Sequence, residues 1–281
     1  MNPSPVSKNE IITGLIAGLI ITLLIFLYQF NNQQTKIVFC DVGQGDAAYI
    51  RIKNKIDVVI DAGPDRKILS CLGKHMPFYD RKIELVILSH PHKDHFFGFI
   101  PVFERYDIDS IVFFKPEVPT STFNQLLTLI KNNKTKVLLP STVQSISIAG
   151  DRLSLLNGKN IIDKNNLNAS SLIFLFQEDN FRALFTGDAT SMALNRLVGN
   201  GRDRSLRNID ILKIPHHGSK TGLSTKFLHL ANPKVAVISV GKNNSYGHPS
   251  KEVLDQLKAL KIKIMRTDIN GDIVFRITNN K

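Results

Sequence analysis

Residues 11–28, "IITGLIAGLIITLLIFLY", carry no charge, and their apolar positions surround every side of a helix rather than forming a stripe. At helical rise such a run spans roughly 27 Å, about the hydrocarbon thickness of a bilayer. A cleavable signal would have a shorter apolar region ending in small residues. This run ends in "FLYQFNNQQ", which offers no such site. The pattern therefore predicts a short tail (1–10), an uncleaved membrane anchor (11–28), a polar linker (29–35) and one domain (36–281). Lys8 before the run and Lys36 after it give a slight lean to N-terminus in, domain out, on the extracytoplasmic side.

Beyond the linker the apolar runs shorten to strand length. "KIVFCDV" (36–42), "AAYIRI" (47–52) and "IDVVID" (56–61) read as strands, and so does "IELVILSH" (83–90). Further strands are expected at 110–114, 171–176, 182–188, 209–215, 234–240 and 272–278. Helical spacing appears at 66–76, 121–132, 189–199, 223–230 and 250–260, with another helix expected just after His95. Early hairpins followed by strand–helix alternation predict an α/β fold of two sheets covered by helices.

Charge narrows the partners. The chain holds 36 Lys+Arg against 24 Asp+Glu, a formal net charge of +12, which favours polyanions such as nucleic acid, anionic lipid or anionic cell-wall polymer. Basic runs recur at 131–136 ("KNNKTK") and 201–207 ("GRDRSLR"). No run interleaves aromatics with basic residues, so base-specific reading is not expected. Cys40 and Cys71 sit in apolar contexts without C-x-x-C spacing and are expected as two buried thiols; a disulfide would require an oxidising compartment.

"DVGQGDAA" contains a G-x-G-x-x-A match at Gly43, Gly45 and Ala48, and Asp61 lies where a ribose-binding acid could follow. A dinucleotide site needs a helix between its two strands, and "AAYIRIKNKIDVVID" reads as a hairpin. The denser chemistry lies in "SHPHKDH". His90 and His92 straddle one residue at a strand end, and Asp94 and His95 follow at once. Imidazoles and a carboxylate converging there suit Zn²⁺ or a similar ion. "FTGDAT" ends a second strand at Asp188, and "LKIPHHGS" ends a third at His216 and His217.

The ordered set "DVGQGDA", "VIDAG", "SHPHKDH", "FTGDA", "LKIPHHGS" and "YGHPS" resembles the hydrolase domain of the competence protein ComEC, a metallo-β-lactamase fold. The resemblance covers residues 36–281 and extends to phosphorylcholine esterases of the same fold. It implies a four-layer αββα sandwich with two divalent metal ions, Zn²⁺ or Mn²⁺, at one edge. One ion would take His90, His92 and Asp188. The other would take Asp94, His95, Asp188 and one histidine of the pair 216–217, with His217 favoured. Asp94, His216 and His248 would then serve the chemistry, His248 as a contact to phosphate or a proton donor to the leaving oxygen. Asp61 would orient the ligand loop, with Asp46 and Gln44 near the same edge, and Ser219 and Lys220 could bind phosphate oxygens. No histidine lies between 95 and 216, where many members of the wider fold supply one; Asn168 or Ser171 stands there. ComEC carries many membrane helices and this chain one, so a separate channel protein is a possible partner.

Three functions remain open from the sequence. One is a membrane-anchored phosphodiesterase or nuclease acting on DNA, in uptake or degradation. Another is a hydrolase of a different anionic diester, such as phosphorylcholine on cell-wall polymer. The third is a non-catalytic nucleic-acid-binding module.

Overall fold

In the first strand of the domain alternate residues enter different cores. Ile37 and Phe39 face one apolar cluster, Val38 and Cys40 another. This period of two explains why the strands read as continuous apolar runs: both faces are covered. The computed structural model describes residues 7–31, 33–158, 166–199 and 205–277, so the part of the second basic run at 201–204 lies outside the described residues.

Helix α1 (Lys8–Asn31) precedes the domain, and its stretch Lys8–Ile25 is long and apolar enough to cross a membrane. The first sheet contains β1 (Thr35–Phe39), β2 (Ala47–Ile52), β3 (Ile56–Ala62), β4 (Lys82–Ile87), β5 (Asp107–Val112) and β6 (Lys136–Leu138). The second contains β7 (Ser145–Ile148), β8 (Asp151–Leu155), β9 (Phe174–Glu178), β10 (Phe181–Phe185), β11 (Ile211–Lys213), β12 (Val235–Ile238) and β13 (Lys263–Arg266). The last strand, β14 (Ile273–Ile277), returns to the first sheet beside β1, giving orders 14-1-2-3-4-5-6 and 13-12-11-10-9-8-7.

The two sheets pack through a central layer that includes Phe39, Ile50, Ile60, Phe174, Phe176 and Val237. On the outside of the first sheet lie α2 (Lys67–His75), α3 (Lys93–Phe96), α4 (Phe99–Arg105) and α5 (Ser121–Asn132). On the outside of the second lie α6 (Ser191–Leu197), α7 (Thr225–Ala231) and α8 (Lys251–Ala259), and the one-turn α9 (Thr267–Asn270) joins β13 to β14. The result is the expected αββα sandwich. The parallel strands β3, β4, β10, β11 and β12 are followed by the loops that carry the candidate ligands, and strand ends of this kind are where α/β sheets build sites.

Several details differ from the sequence reading. Cys40 and Cys71 are not free thiols but a disulfide, with Cα atoms 5.8 Å apart, tying the end of β1 to α2. The helix expected after His95 begins at Lys93, so Asp94 and His95 lie on its first turn and His92 is its N-cap. Strands β6, β7, β8 and β13 were not expected. They are short and carry polar or half-exposed positions, alternating in "SISI" (145–148), so they lack the continuous apolar signature of the central strands. The segment "AAYIRIKNKIDVVID" is the β2–β3 hairpin, as expected, and the "DVGQGDA" turn joins β1 to β2. A Cβ on Gly45 would lie 2.4 Å from the Asp94 carbonyl oxygen, so only glycine lets this turn pass beneath the ligand loop.

Candidate metal centre

Four side chains from three loops converge on one point. Asp94, His95, Asp188 and His217 each bring a ligand-capable atom within 4.8 Å of the others. His95 Nε2 lies 3.3 Å from Asp188 Oδ1, His217 Nε2 lies 3.3 Å from Asp94 Oδ2, and His217 Nε2 lies 3.7 Å from Asp188 Oδ2. Asp188 therefore faces both imidazoles. The His90 ring lies between its neighbours, tilted 4.2 Å from the His95 ring and edge-on at 4.6 Å to that of half-buried His92.

Contacts behind the cluster aim its nitrogens. The Asp61 carboxylate accepts hydrogen bonds from Ser89 N–H (2.7 Å), the Ser89 hydroxyl (2.7 Å) and His95 Nδ1 (2.9 Å). A carboxylate only accepts, so His95 Nδ1 carries hydrogen and Nε2 is turned to Asp188. His217 Nδ1 donates to the Ser239 carbonyl at 2.9 Å, which turns its Nε2 to Asp94 in the same way. Ser89 Oγ stands 3.1 Å from His90 Nδ1, leaving His90 Nε2 facing the cluster. Below this layer Lys213 is ion-paired with Asp46 and donates to the Gly187 carbonyl at 2.9 Å.

Backbone strain is concentrated here too. Asp61, His216 and His217 all have φ between 51° and 55°. Non-glycine residues rarely occupy this left-handed region, and its cost is retained where the surroundings over-determine the conformation.

The electrostatics suit a cation. Burial works against the Asp188 charge, but His217 and His95 outweigh it and hold its carboxyl well below the usual range. Burial likewise opposes charge on His217, yet Asp188 and Asp46 push it up to about 10. His95 is raised well above its ordinary value because Asp188 and Asp61 overcome its burial. His90, buried and beside His95, is driven well below. Buried His90 Nε2, His95 Nε2 and Asp188 Oδ1 have no hydrogen-bond partner. Unsatisfied buried polar atoms are costly, and a mixed imidazole–carboxylate set aimed at one point suits a divalent metal ion.

The remaining sequence candidates sit around this centre. His216 is about one quarter exposed; its Nε2 is 3.8 Å from Asp188 Oδ2 and 3.3 Å from Asn168 Nδ2. Ser171 Oγ accepts from the Asp188 N–H at 3.1 Å. Asn168 and Ser171 thus both reach the cluster from the side where the sequence offers no histidine. His248 stands outside the four-residue group, its ring 5.9 Å from His216 and stacked with Tyr246 at 5.9 Å. Gln44 Oε1 accepts from the Gly241 N–H, which ties the "DVGQGDA" turn to the strand end after β12. Ser219 bonds within its own turn to Thr221, and Lys220 is exposed. Sequence reasoning missed Ser89, Lys213 and Ser239. Lys213 was visible as the one basic residue within "IDILKIP"; Ser239 acts through its carbonyl and leaves no sequence signal.

No family model matches the chain. It is 26% identical over 278 residues to ComE operon protein 3 of Bacillus subtilis (strain 168), covering 92% of this chain and 35% of that protein. It is 28% identical over 279 residues to Recombination protein 2 of Haemophilus influenzae (strain ATCC 51907 / DSM 11121 / KW20 / Rd), covering 96% and 33%. The chain thus spans about a third of the length of these curated relatives. Among solved structures, the metallo hydrolase Igni18 of Ignicoccus hospitalis KIN4/I superposes with a TM-score of 0.56 at 12% identity, over 86% of this chain and 100% of that one. The chain has the metallo-β-lactamase fold and resembles the ComEC-type competence proteins.

Proposed function

We propose that this chain is a membrane-anchored, metal-dependent phosphodiesterase that cleaves DNA on the extracytoplasmic side. The observation that carries the reading is the Asp188 carboxylate, which faces His95 and His217 from two other loops while its buried Oδ1 accepts no hydrogen bond. His90, His92 and Asp188 would hold one divalent ion, and Asp94, His95, Asp188 and His217 a second, as Zn²⁺ or Mn²⁺. Ions held there supply charge neutralisation at a phosphoryl group and acidify water.

The protein's own groups do the rest. Asp61 and the Ser239 carbonyl keep hydrogen on the outer imidazole nitrogens, so the inner nitrogens are the ones that would give up a proton to an incoming ion. His216 and His248 form a histidine edge beside Asp188, placed to contact phosphate and pass a proton to the leaving oxygen. Tyr246, 70% exposed and stacked on His248, offers a face on which an unpaired base can lie. The positive net charge attracts a polyanion without reading its sequence. The Cys40–Cys71 disulfide supports the extracytoplasmic side, since such bonds persist in oxidising compartments. A choline ester is a poorer fit, because recognition of quaternary ammonium wants an aromatic cage and Tyr246 is a single ring.

The test is hydrolysis by the full chain in detergent, with Zn²⁺ or Mn²⁺, of single-stranded DNA, duplex DNA and bis(p-nitrophenyl) phosphate. Cleavage of DNA and the small diester is expected. Cleavage of the small diester alone would redirect the assignment to another phosphodiester. DNA binding without any cleavage would leave a non-catalytic module.

A further inference from the structure

Phe78 and Tyr79 are 85% and 66% exposed, and their rings meet edge to face at 5.4 Å. They occupy the turn between α2 and β4, "MPFYDR", at the opposite end of β4 from the ligand loop that begins at His90. This turn is held rigidly. Arg51 grips Asp80 at 3.1 Å while bonding Asp57 at 2.5 Å, and Lys36 Nζ donates to the His75 carbonyl at 2.5 Å. Lys36 and Arg51 face each other across the β1–β2 ladder. The aromatic pair is therefore pinned beside the first residues of β1, where the chain arrives from α1.

Only residues 32–34 separate Asn31, the end of α1, from Thr35, the start of β1. Fully extended, that connection reaches about 13 Å, roughly the depth of a headgroup layer. If α1 spans a bilayer, this end of the domain lies at the lipid surface. A tyrosine ring, with its polar tip, favours that zone, and an adjoining phenylalanine adds apolar area that can enter the acyl boundary. Charge alone does not explain the patch: the neighbouring Lys74 and Lys82 are engaged by Asp272 and Asp109. The apolar rings are the groups left without a protein surface to cover.

We propose that Phe78 and Tyr79 insert into the lipid interface and dock the domain on the bilayer in one orientation. The proposal rests on the reading of α1 as an anchor. It has a functional consequence. β1 and β3 both run antiparallel to β2, so Thr35 lies at the opposite end of the sheet from the loop that follows β4 and carries His90 to His95. Docked this way, the metal centre faces solution, and a polymer reaches it from the side away from the membrane.

The chain contains no tryptophan, so one introduced indole is a clean probe. Full-length Phe78→Trp, Tyr79→Trp and Val118→Trp would each be reconstituted into vesicles of brominated phosphatidylcholine and phosphatidylglycerol. Val118 is 88% exposed on the loop region after β5, at the ligand-loop end of the sheet. Flotation after an alkaline wash reports anchoring independently. With anchoring retained, about a twofold loss of emission at 78 and 79 and none at 118 is expected for rings at the acyl boundary. Unquenched 78 and 79 in floating protein would overturn the docking while leaving the anchor standing. Protection from aqueous iodide without bromolipid quenching would also overturn it, in favour of a protein partner. Failure to float would remove the anchor and the proposal together. Equal quenching at all three positions would exclude the single orientation.

Discussion

Asp61→Asn separates the aiming of a ligand from ligation itself, because Asp61 lies behind His95 rather than among the four converging groups. The substitution keeps the size and one acceptor oxygen but places an NH₂ group where an acceptor stood. His95 Nδ1, 2.9 Å away, must then turn its hydrogen aside or accept one, which moves hydrogen to Nε2, the atom facing Asp188. Losing such an orienting partner costs 10–100-fold in metal affinity, about 1.4–2.7 kcal/mol. Folding should suffer less. Of the three hydrogen bonds to Asp61, the one from the Ser89 N–H keeps an acceptor and loses only charge assistance, while those from the Ser89 hydroxyl and His95 meet a donor and must rearrange, a loss of about 1–3 kcal/mol. Against this, burial raises the Asp61 pKa despite His95, so removing the charge relieves a desolvation penalty. The measurement is calorimetric titration of metal-stripped wild type and variant with Zn²⁺ and Mn²⁺, beside thermal unfolding of both without metal. The expected result is weaker binding with a small change in Tm. Unchanged affinity in a folded variant would refute the aiming argument, and so would loss of the fold before any metal is added.

Asp188→Ala is expected to abolish hydrolysis while leaving a folded domain, because one carboxylate would serve both ions; retained turnover would exclude the two-metal arrangement. Reducing Cys40–Cys71 releases a loop with a sequence separation of 31, which by chain entropy lowers stability by about 3.7 kcal/mol, read as a shift in denaturant midpoint with and without reductant. Arg51→Met leaves Asp57 buried without its guanidinium partner and should cost about 3–5 kcal/mol in urea unfolding, far more than an exposed pair such as Lys251–Asp255. Tyr246→Ala should raise KM for single-stranded DNA by the loss of about 1–3 kcal/mol of stacking, with kcat/KM for bis(p-nitrophenyl) phosphate unchanged.

What could be read from the chain in advance follows from where information is stored. His90, His92, Asp94 and His95 sit within six positions at the end of a continuous apolar strand, so strand geometry brings them together and spacing exposes them. Asp188 and His217 stood out for the same reason: each ends a mainly apolar run at a turn, marked by Gly187 before the one and by Pro215 and Gly218 around the other. The support behind them is not written this way. Ser89 matters because its hydroxyl bridges Asp61 and His90, which requires β3 and β4 to be parallel neighbours in a particular register. Ser239 contributes a carbonyl, the one group every residue has. The choice between His216 and His217 illustrates the limit most clearly. Adjacent and identical in type, both lie in the left-handed region, so the turn sends one ring down onto Ser239 and Asp94 and leaves the other on the rim beside Asn168. Gly218, also at positive φ, extends that turn, and a Cβ there would lie 2.6 Å from Pro249 Cβ. The two histidines are told apart by their partners, Ser239 and Asp94 for His217 and Asn168 for His216, all distant in sequence and so invisible to spacing.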